Sequence, residues 1–319
     1  MFFNLIRSKN LTLVNIISFE IFAVMSDFKE LSYNSHKEHY KDNPDILGRL
    51  KRKSSIDYWR HERMYRLLTP LLNRKGAKWL TVGDGLGTDA NWLQGNGQSV
   101  VASDISEYGL KAAAEGGYIQ DYKLVNAESI DFVDDSFDYV FCKEAYHHFP
   151  RPYLAVYEML RVASRAVVLI EPVDIGIQFP LMVFLKNLLE KVAPGMVNKV
   201  WKNRFSFETV GNYVYKISER EIEKVAMGIG LPMVAFKGIN DFYTTKFDLK
   251  SSTGNKKLFR KVKGRIKLKD FLSRLGVIPY ELEACVIFKK QPSPEVVANM
   301  KEQGFKVLSL PENPYLEGK

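Results

Sequence analysis

KWLTVGDGLGTDANWL, residues 78–93, decides the fold of this chain: the apolar run Lys78–Val82 enters glycines at Gly83, Gly85 and Gly87 and then a helix-forming segment. A short apolar run of this kind fits a buried parallel strand, and Thr88 or Asp89 can cap the helix that begins there. Glycines suit a tight turn whose backbone approaches a ligand, where a Cβ would obstruct the approach. The stretch reads as a nucleotide-cofactor site. Its spacing is G-x-G-x-G, one residue away from the dinucleotide fingerprint G-x-G-x-x-G, whose helix N-terminus takes a pyrophosphate.

Further along, Ser99–Ser103 reads as a second apolar strand ending in Asp104, placed to accept hydrogen bonds from ribose hydroxyls. Then come Asn126-Ala127-Glu128, the acidic turn Asp134-Asp135-Ser136, the strand Phe137–Cys142, and Lys143-Glu144-Ala145-Tyr146-His147-His148-Phe149. Taken together, the stretch from Leu68 to Pro172 resembles a class I S-adenosylmethionine-dependent methyltransferase with a type 11 methyltransferase domain. The resemblance implies an α/β, doubly wound, Rossmann-like sheet of seven strands, mostly parallel with an antiparallel last strand. It also implies site residues. Gly83, Asp84, Gly85 and Gly87 match the loop under the methionine part of the cofactor, and Asp104 matches the ribose-binding acid. Ala127 and Glu128 match the pair beside the adenine, Cys142 and Lys143 the strand end near the cofactor's amino group, and His148 the histidine common after that strand. Where the family usually carries an acidic residue two positions before the first glycine, this chain has Thr81, with Asp84 inside the loop instead.

Strand-like runs at Lys78–Val82, Ser99–Ser103, Tyr122–Val125, Tyr139–Cys142 and Ala166–Ile170 alternate with helix-like segments such as Tyr153–Val162, the pattern of a parallel doubly wound sheet. Upstream, Ile56, Trp59, Met64, Leu67, Leu68 and Leu71 approximate one helical face. On that helix Tyr58, Arg60 and Arg63 are surface residues or partners for the cofactor carboxylate. Residues 174–217 break the alternation with an apolar helix, Phe179–Val192, and an aromatic loop holding Phe205, Phe207, Tyr213 and Tyr215, expected to form a helical lid. Ser218 and Glu221 form a capping box for the next helix. Leu231–Phe236 and Glu283–Lys289 read as the last two strands, with a basic insertion at about 241–281 between them. The methyltransferase domain is expected over 35–290, with 291–319 as a C-terminal appendage and 1–34 as an N-terminal extension. Met1–Met25 is apolar, with Asn15 and Glu20 interrupting it, too broken to span a bilayer and without a convincing cleavage site. Met25 is the expected start, and a membrane-surface anchor is the alternative.

The chain has 319 residues, 46% of them hydrophobic, enough for a sizeable core. Its two cysteines, Cys142 and Cys285, lie in apolar runs, so a disulfide framework is not expected, a reducing cytoplasmic compartment fits, and no metal cluster is evident. The net charge of +9 concentrates between Lys246 and Arg274. That run reads either as a phosphate-binding surface or as a solvated helix face packed through Leu258, Phe259, Val262, Ile266 and Phe271; the second reading ranks first.

Methyl transfer to a hydroxyl needs a base, because a neutral oxygen is a poor nucleophile. His147 is the first candidate, followed by Tyr146 and Glu171, while His148 reads as a structural histidine. The expected partner is a small-molecule methyl acceptor, a sugar or lipid-linked intermediate stacked on the aromatic loop. Nucleic acid or protein as acceptor ranks lower, and a noncatalytic cofactor-binding protein lower still.

Overall fold

In the computed structural model, the centre of the molecule is made of strands apolar on both faces. β1 (Lys78–Val82), β4 (Phe137–Lys143) and β5 (Ala163–Pro172) lie side by side in parallel register. Trp79, Phe141 and Val168 pack on one face and Leu80, Val140, Cys142 and Leu169 on the other, all buried. Burial on both faces is the condition of a parallel sheet covered by helices. The structure describes residues 30–38, 40–197, 201, 205–208, 212–243 and 253–315. The readings of Met25 as a start and of an N-terminal anchor fall outside them.

β2 (Ser99–Asp104) and β3 (Asp121–Leu124) extend the sheet beyond β1. On the other side lie β7 (Leu282–Phe288), β6 (Met233–Ile239) and β8 (Lys306–Ser309), giving the order β3-β2-β1-β4-β5-β7-β6-β8. β7 is antiparallel to both neighbours, as expected for the final strand of seven. The eighth strand goes beyond the seven that the resemblance implies. It comes from the C-terminal segment, whose helix Pro294–Glu302 returns the chain so that β8 pairs with β6. The physical reason is edge protection: without β8, β6 would present unpaired backbone groups.

Two helical layers cover the sheet. Residues 30–38 form α1, Gly48–Lys51 α2, Ile56–Tyr65 α3, Thr88–Gly95 α4 and Tyr108–Glu115 α5. Met64, Leu93, Leu110 and Ala113 from three of these, with Met300 near the C-terminus, fill the core of one face. Across the sheet, Val156 and Met159 of α6 (Pro152–Val162) join Ile222 and Val225 of the helix Glu219–Gly228. Ser218 caps that helix, accepting from the Glu221 amide at 3.3 Å while its hydroxyl donates to the Glu221 carboxylate at 2.8 Å. β1 sits where the strand order reverses, the switch point at which open α/β sheets bind ligands.

The segment after β5 contains α7 (Ile175–Gln178) and α8 (Pro180–Val192) and returns through a bridge between Val173 and Ile217. α8 buries none of its residues. The basic run forms one long helix, Lys256–Arg274, which packs through Val262 and Ile266 on Ile56 of α3. Phe271 does not join that stripe and is 57% exposed.

Candidate functional site

β1, β2 and β4 end at one level, since Val82 is in register with both Ser103 and Cys142. The chain then has to turn sharply at each strand end, and the glycine loop shows why small residues stand there. Gly83 has φ +74, and a Cβ on it would collide with that of Ala145. A Cβ on Gly85 would collide with the ring of Tyr40, and one on Gly109 with the carbonyl of Gly85. Gly109 is thus a further glycine of the cradle, invisible as a motif because its partner is distant in sequence. Neither Thr88 nor Asp89 caps α4. Gly87 occupies the N-cap position, and Asp84 reaches forward instead, accepting from the amides of Asp89 at 3.1 Å and Ala90 at 2.8 Å. Thr81 lies 3.1 Å from the same carboxylate. Burial and the charge of Asp89 push Asp84 well above the usual carboxylate range.

Two adjoining cavities open at this edge. The first, about 500 Å³, has Gly83, Asp104, Ile105 and Ala127 on the sheet side and Tyr33, His36, Tyr40 and Phe149 across from them. α1 is held over it by Ser106, whose hydroxyl donates to the Lys37 carbonyl at 2.8 Å. Asp104 accepts from the Ser106 amide at 2.8 Å, yet burial still lifts it to about 6. A carboxylate destabilised in this way gains from hydroxyl donors such as those of a ribose. The mostly apolar walls, with Gly83 on the sheet side, fit the nucleoside part of S-adenosylmethionine.

The second cavity, about 890 Å³, shares Tyr40, Gly83, Glu144, His148 and Glu208 with the first. Its walls carry charge. Lys143 lies 3.2 Å from His61 Nδ1, 3.4 Å from Asp89 and 3.5 Å from Glu144. Burial opposes the lysine's charge, but Asp89 and Glu144 outweigh it and raise its pKa. His61 is held below its ordinary value by burial and by the Lys143 and Arg49 charges. Glu144 is kept at about 2, because Lys143 and His61 overcome the burial that would lift it. With Arg49 and Arg60 beside Asp84 and Gly85, this wall can hold an amino-acid carboxylate and ammonium. Arg60 is a buried wall residue paired with Asp241 at 2.8 Å. Arg63 instead donates to the Asn240 carbonyl at 2.8 Å, and neither it nor Tyr58 lines either cavity.

His147 lines the second cavity, and its Nδ1 lies 2.7 Å from Glu171 Oε2. Glu171, fully buried at 0% exposure, also accepts from the amides of Ala145 at 2.9 Å and Tyr146 at 3.0 Å. Burial disfavours the imidazolium, but the Glu171 carboxylate outweighs it and raises the His147 pKa. Such a dyad fixes the tautomer and leaves Nε2 as the proton-accepting nitrogen. Glu171 therefore contacts His147 and lines neither cavity.

Several expected site residues stand elsewhere. Tyr146 is buried in the core, near Tyr153 and Glu221 on the α6 side, and lines neither cavity, and burial raises its pKa. Cys142 is fully buried. Gly87 serves the turn into α4, and Glu128 is buried against Arg151, whose amide donates to it at 2.6 Å. His148 is no packed structural histidine: its side chain is 29% exposed, it lines both cavities, and Nδ1 lies 2.7 Å from Glu208. Of the expected lid, Phe207 and Glu208 line the cavities, whereas α7 and α8 line neither. The aromatic residues of the second cavity are Tyr40, Phe242 and Tyr243 rather than the Phe205–Tyr215 loop. Among the described residues, no helix is long and apolar enough to cross a membrane.

Residues 80–170, from within β1 to within β5, match the family described as a methyltransferase domain. No curated protein sequence matches the chain. Among solved structures it is similar to magnesium protoporphyrin IX methyltransferase from Synechocystis, crystallised with bound S-adenosylhomocysteine: 15% identity and a TM-score of 0.45, covering 80% of this chain and 98% of that one. It is also similar to the YcgJ protein from Bacillus subtilis, with 19% identity, a TM-score of 0.45, and 73% and 100% of the two chains covered. The family match falls on the strands that build the glycine cradle and carry Asp104 and the His147 loop, so residues 80–170 carry a methyltransferase domain of the S-adenosylmethionine-dependent kind.

Proposed function

We propose that this methyltransferase acts on a hydroxyl group of a compact polar small molecule, a sugar or a lipid-linked intermediate. The observation that carries the reading is the His147–Glu171 dyad in the wall of the second cavity. An amine or thiolate acceptor can react without a base, whereas a hydroxyl must lose its proton as it attacks. S-adenosylmethionine supplies an electrophilic methyl group when bound. Asp104 and Gly83 hold its nucleoside, and Gly85, Lys143, Arg49 and Glu144 fit its charged amino-acid end. His147 Nε2 takes the acceptor's proton, and Glu171 holds the ring in place and stabilises the charge it gains. Arg60, Asp241, Lys269 and Glu281 give the second cavity both signs of charge, and Phe242 and Tyr243 add aromatic surface, a lining suited to a polar ring.

The test is a methyl-transfer screen with isotope-labelled S-adenosylmethionine over hydroxylated metabolites, nucleotide sugars and lipid-linked glycans. The expected product is an O-methyl ether, identified by mass spectrometry. Exclusive transfer to nitrogen, or to RNA or protein, would overturn the reading.

A further inference from the structure

Where the two cavities meet, three side chains from distant parts of the chain converge: His36 from α1, His148 from the loop after β4, and Glu208 from the segment after α8. Each offers one ligand atom, and these atoms all lie within 4.8 Å of one another. Among the described residues it is the one group of three or more His, Cys, Asp or Glu side chains drawn this close. All three line the first cavity, and His148 and Glu208 line the second as well.

We infer that His36, His148 and Glu208 form a binding site for a divalent transition-metal ion such as zinc. The donor set is the first reason. Two imidazoles and one carboxylate suit zinc and its neighbours, whereas magnesium and calcium prefer oxygen alone, and three protein ligands leave a position for a further donor.

The setting of the ligands is the second reason. His36 Nδ1 lies 2.8 Å from the Ser32 carbonyl, a contact that fixes the tautomer with its lone pair on Nε2. A backbone carbonyl holding the far nitrogen is the usual outer support of a metal-bound histidine. The buried Nδ1 of His148 makes no aligned hydrogen bond, although the Glu208 carboxylate is 2.7 Å away. Tetrahedral zinc places its ligand atoms about 3.3 Å apart, so a small adjustment closes the site: the wider pairs, all within 4.8 Å, draw in, and the His148–Glu208 pair at 2.7 Å opens slightly.

An ion at this place would tie α1 and the 205–208 segment to the His147 loop. It would also set a Lewis acid on the wall shared by the two cavities. The site is independent of the acceptor's identity, because metal binding is read without any methylation assay.

The experiment uses the full chain, freed of any affinity tag and stripped with a chelator, titrated with Co²⁺ alone and followed by visible absorption. One Co²⁺ per chain is expected, displaced by Zn²⁺, with no sulfur-to-metal charge-transfer band because Cys142 and Cys285 are both buried away from the site. His36→Ala, His148→Ala and Glu208→Gln should each weaken binding by at least about tenfold, with thermal unfolding monitored to separate lost ligation from lost fold. Absence of saturable Co²⁺ or Zn²⁺ binding by the wild-type chain overturns the assignment. So does binding that survives all three substitutions, or a spectrum showing thiolate ligation.

Discussion

The two cavities are neighbours with different origins. The first is walled on its sheet side by short contiguous stretches that follow strand ends: Gly83 after β1, Asp104 and Ile105 at the end of β2, and Val125 to Ala127 after β3. The second shares strand-end stretches, Gly83 to Leu86 after β1 and Lys143 to Glu144 at the end of β4, but adds Arg49, Arg60, His147, Asp241, Phe242 and Lys269, which come from three helices and several loops. A cofactor common to a family can be held by one local solution repeated in every member. An acceptor particular to one enzyme is held by whatever the connections bring together.

The comparison breaks most visibly at His147. His147→Ala should lower kcat by roughly a hundredfold or more while leaving S-adenosylmethionine affinity within about a few-fold. Single-turnover methylation beside calorimetry separates the two, and equal turnover in mutant and wild type would remove the base from the second cavity. A smaller effect is expected on the other side. Asp104→Ala should weaken cofactor binding by about 1.5–3 kcal/mol, the worth of hydrogen bonds to a charged group. Loss of turnover without loss of binding would place Asp104 in the wrong cavity.

Asp104 also predicts opposite pH trends for the free and bound protein. Its pKa is raised to about 6 in the folded chain. Folding therefore favours its protonated form, so its stabilising contribution is full below the ordinary carboxylate range and is lost as pH rises through about 6. Ribose hydroxyls favour the ionised form, so cofactor affinity should fall by up to about tenfold per pH unit below 6. Asp104→Asn should flatten both curves, and calorimetry with thermal melts at pH 5 to 8 checks them. The smallest effect concerns the basic helix Lys256–Arg274. Neutralising Lys256, Lys257 and Lys261 should leave methylation unchanged and reduce the salt slope of weak, nonspecific nucleic-acid binding by about one for each phosphate no longer engaged. Sequence-selective RNA binding that disappears with those charges would move the acceptor out of the small-molecule class.

The strands, the alternation and the cofactor floor could be read from the sequence because each depends on residues close along the chain. Lys78–Val82 is a strand over the same residues the pattern predicts, and Asp104 stands at the end of β2. Tyr40, His61 and Tyr243 could not be found that way, since nothing local marks them. Tyr40 becomes a site residue only because it fills the space above Gly85. Tyr146 departs from its expected place for a related reason: motif position brings it beside His147, but the short helical turn Tyr146–His148 sends adjacent side chains to opposite sides. The convergence of His36, His148 and Glu208 has no sequence spacing at all, so a search for metal-ligand motifs passes over it.

The Glu171 carboxylate has one further consequence, for hydrogen exchange. Ala145 and Tyr146 sit in a connection between β4 and α6, where amides ordinarily open and exchange quickly. Both amides donate to a carboxylate that is completely buried and carried by β5 in the middle of the sheet. They can be released only by pulling that carboxylate away or by opening the strand that holds it. Their exchange should therefore keep pace with the core of β5, so that the peptide leading into His147 is irregular in shape and strand-like in persistence.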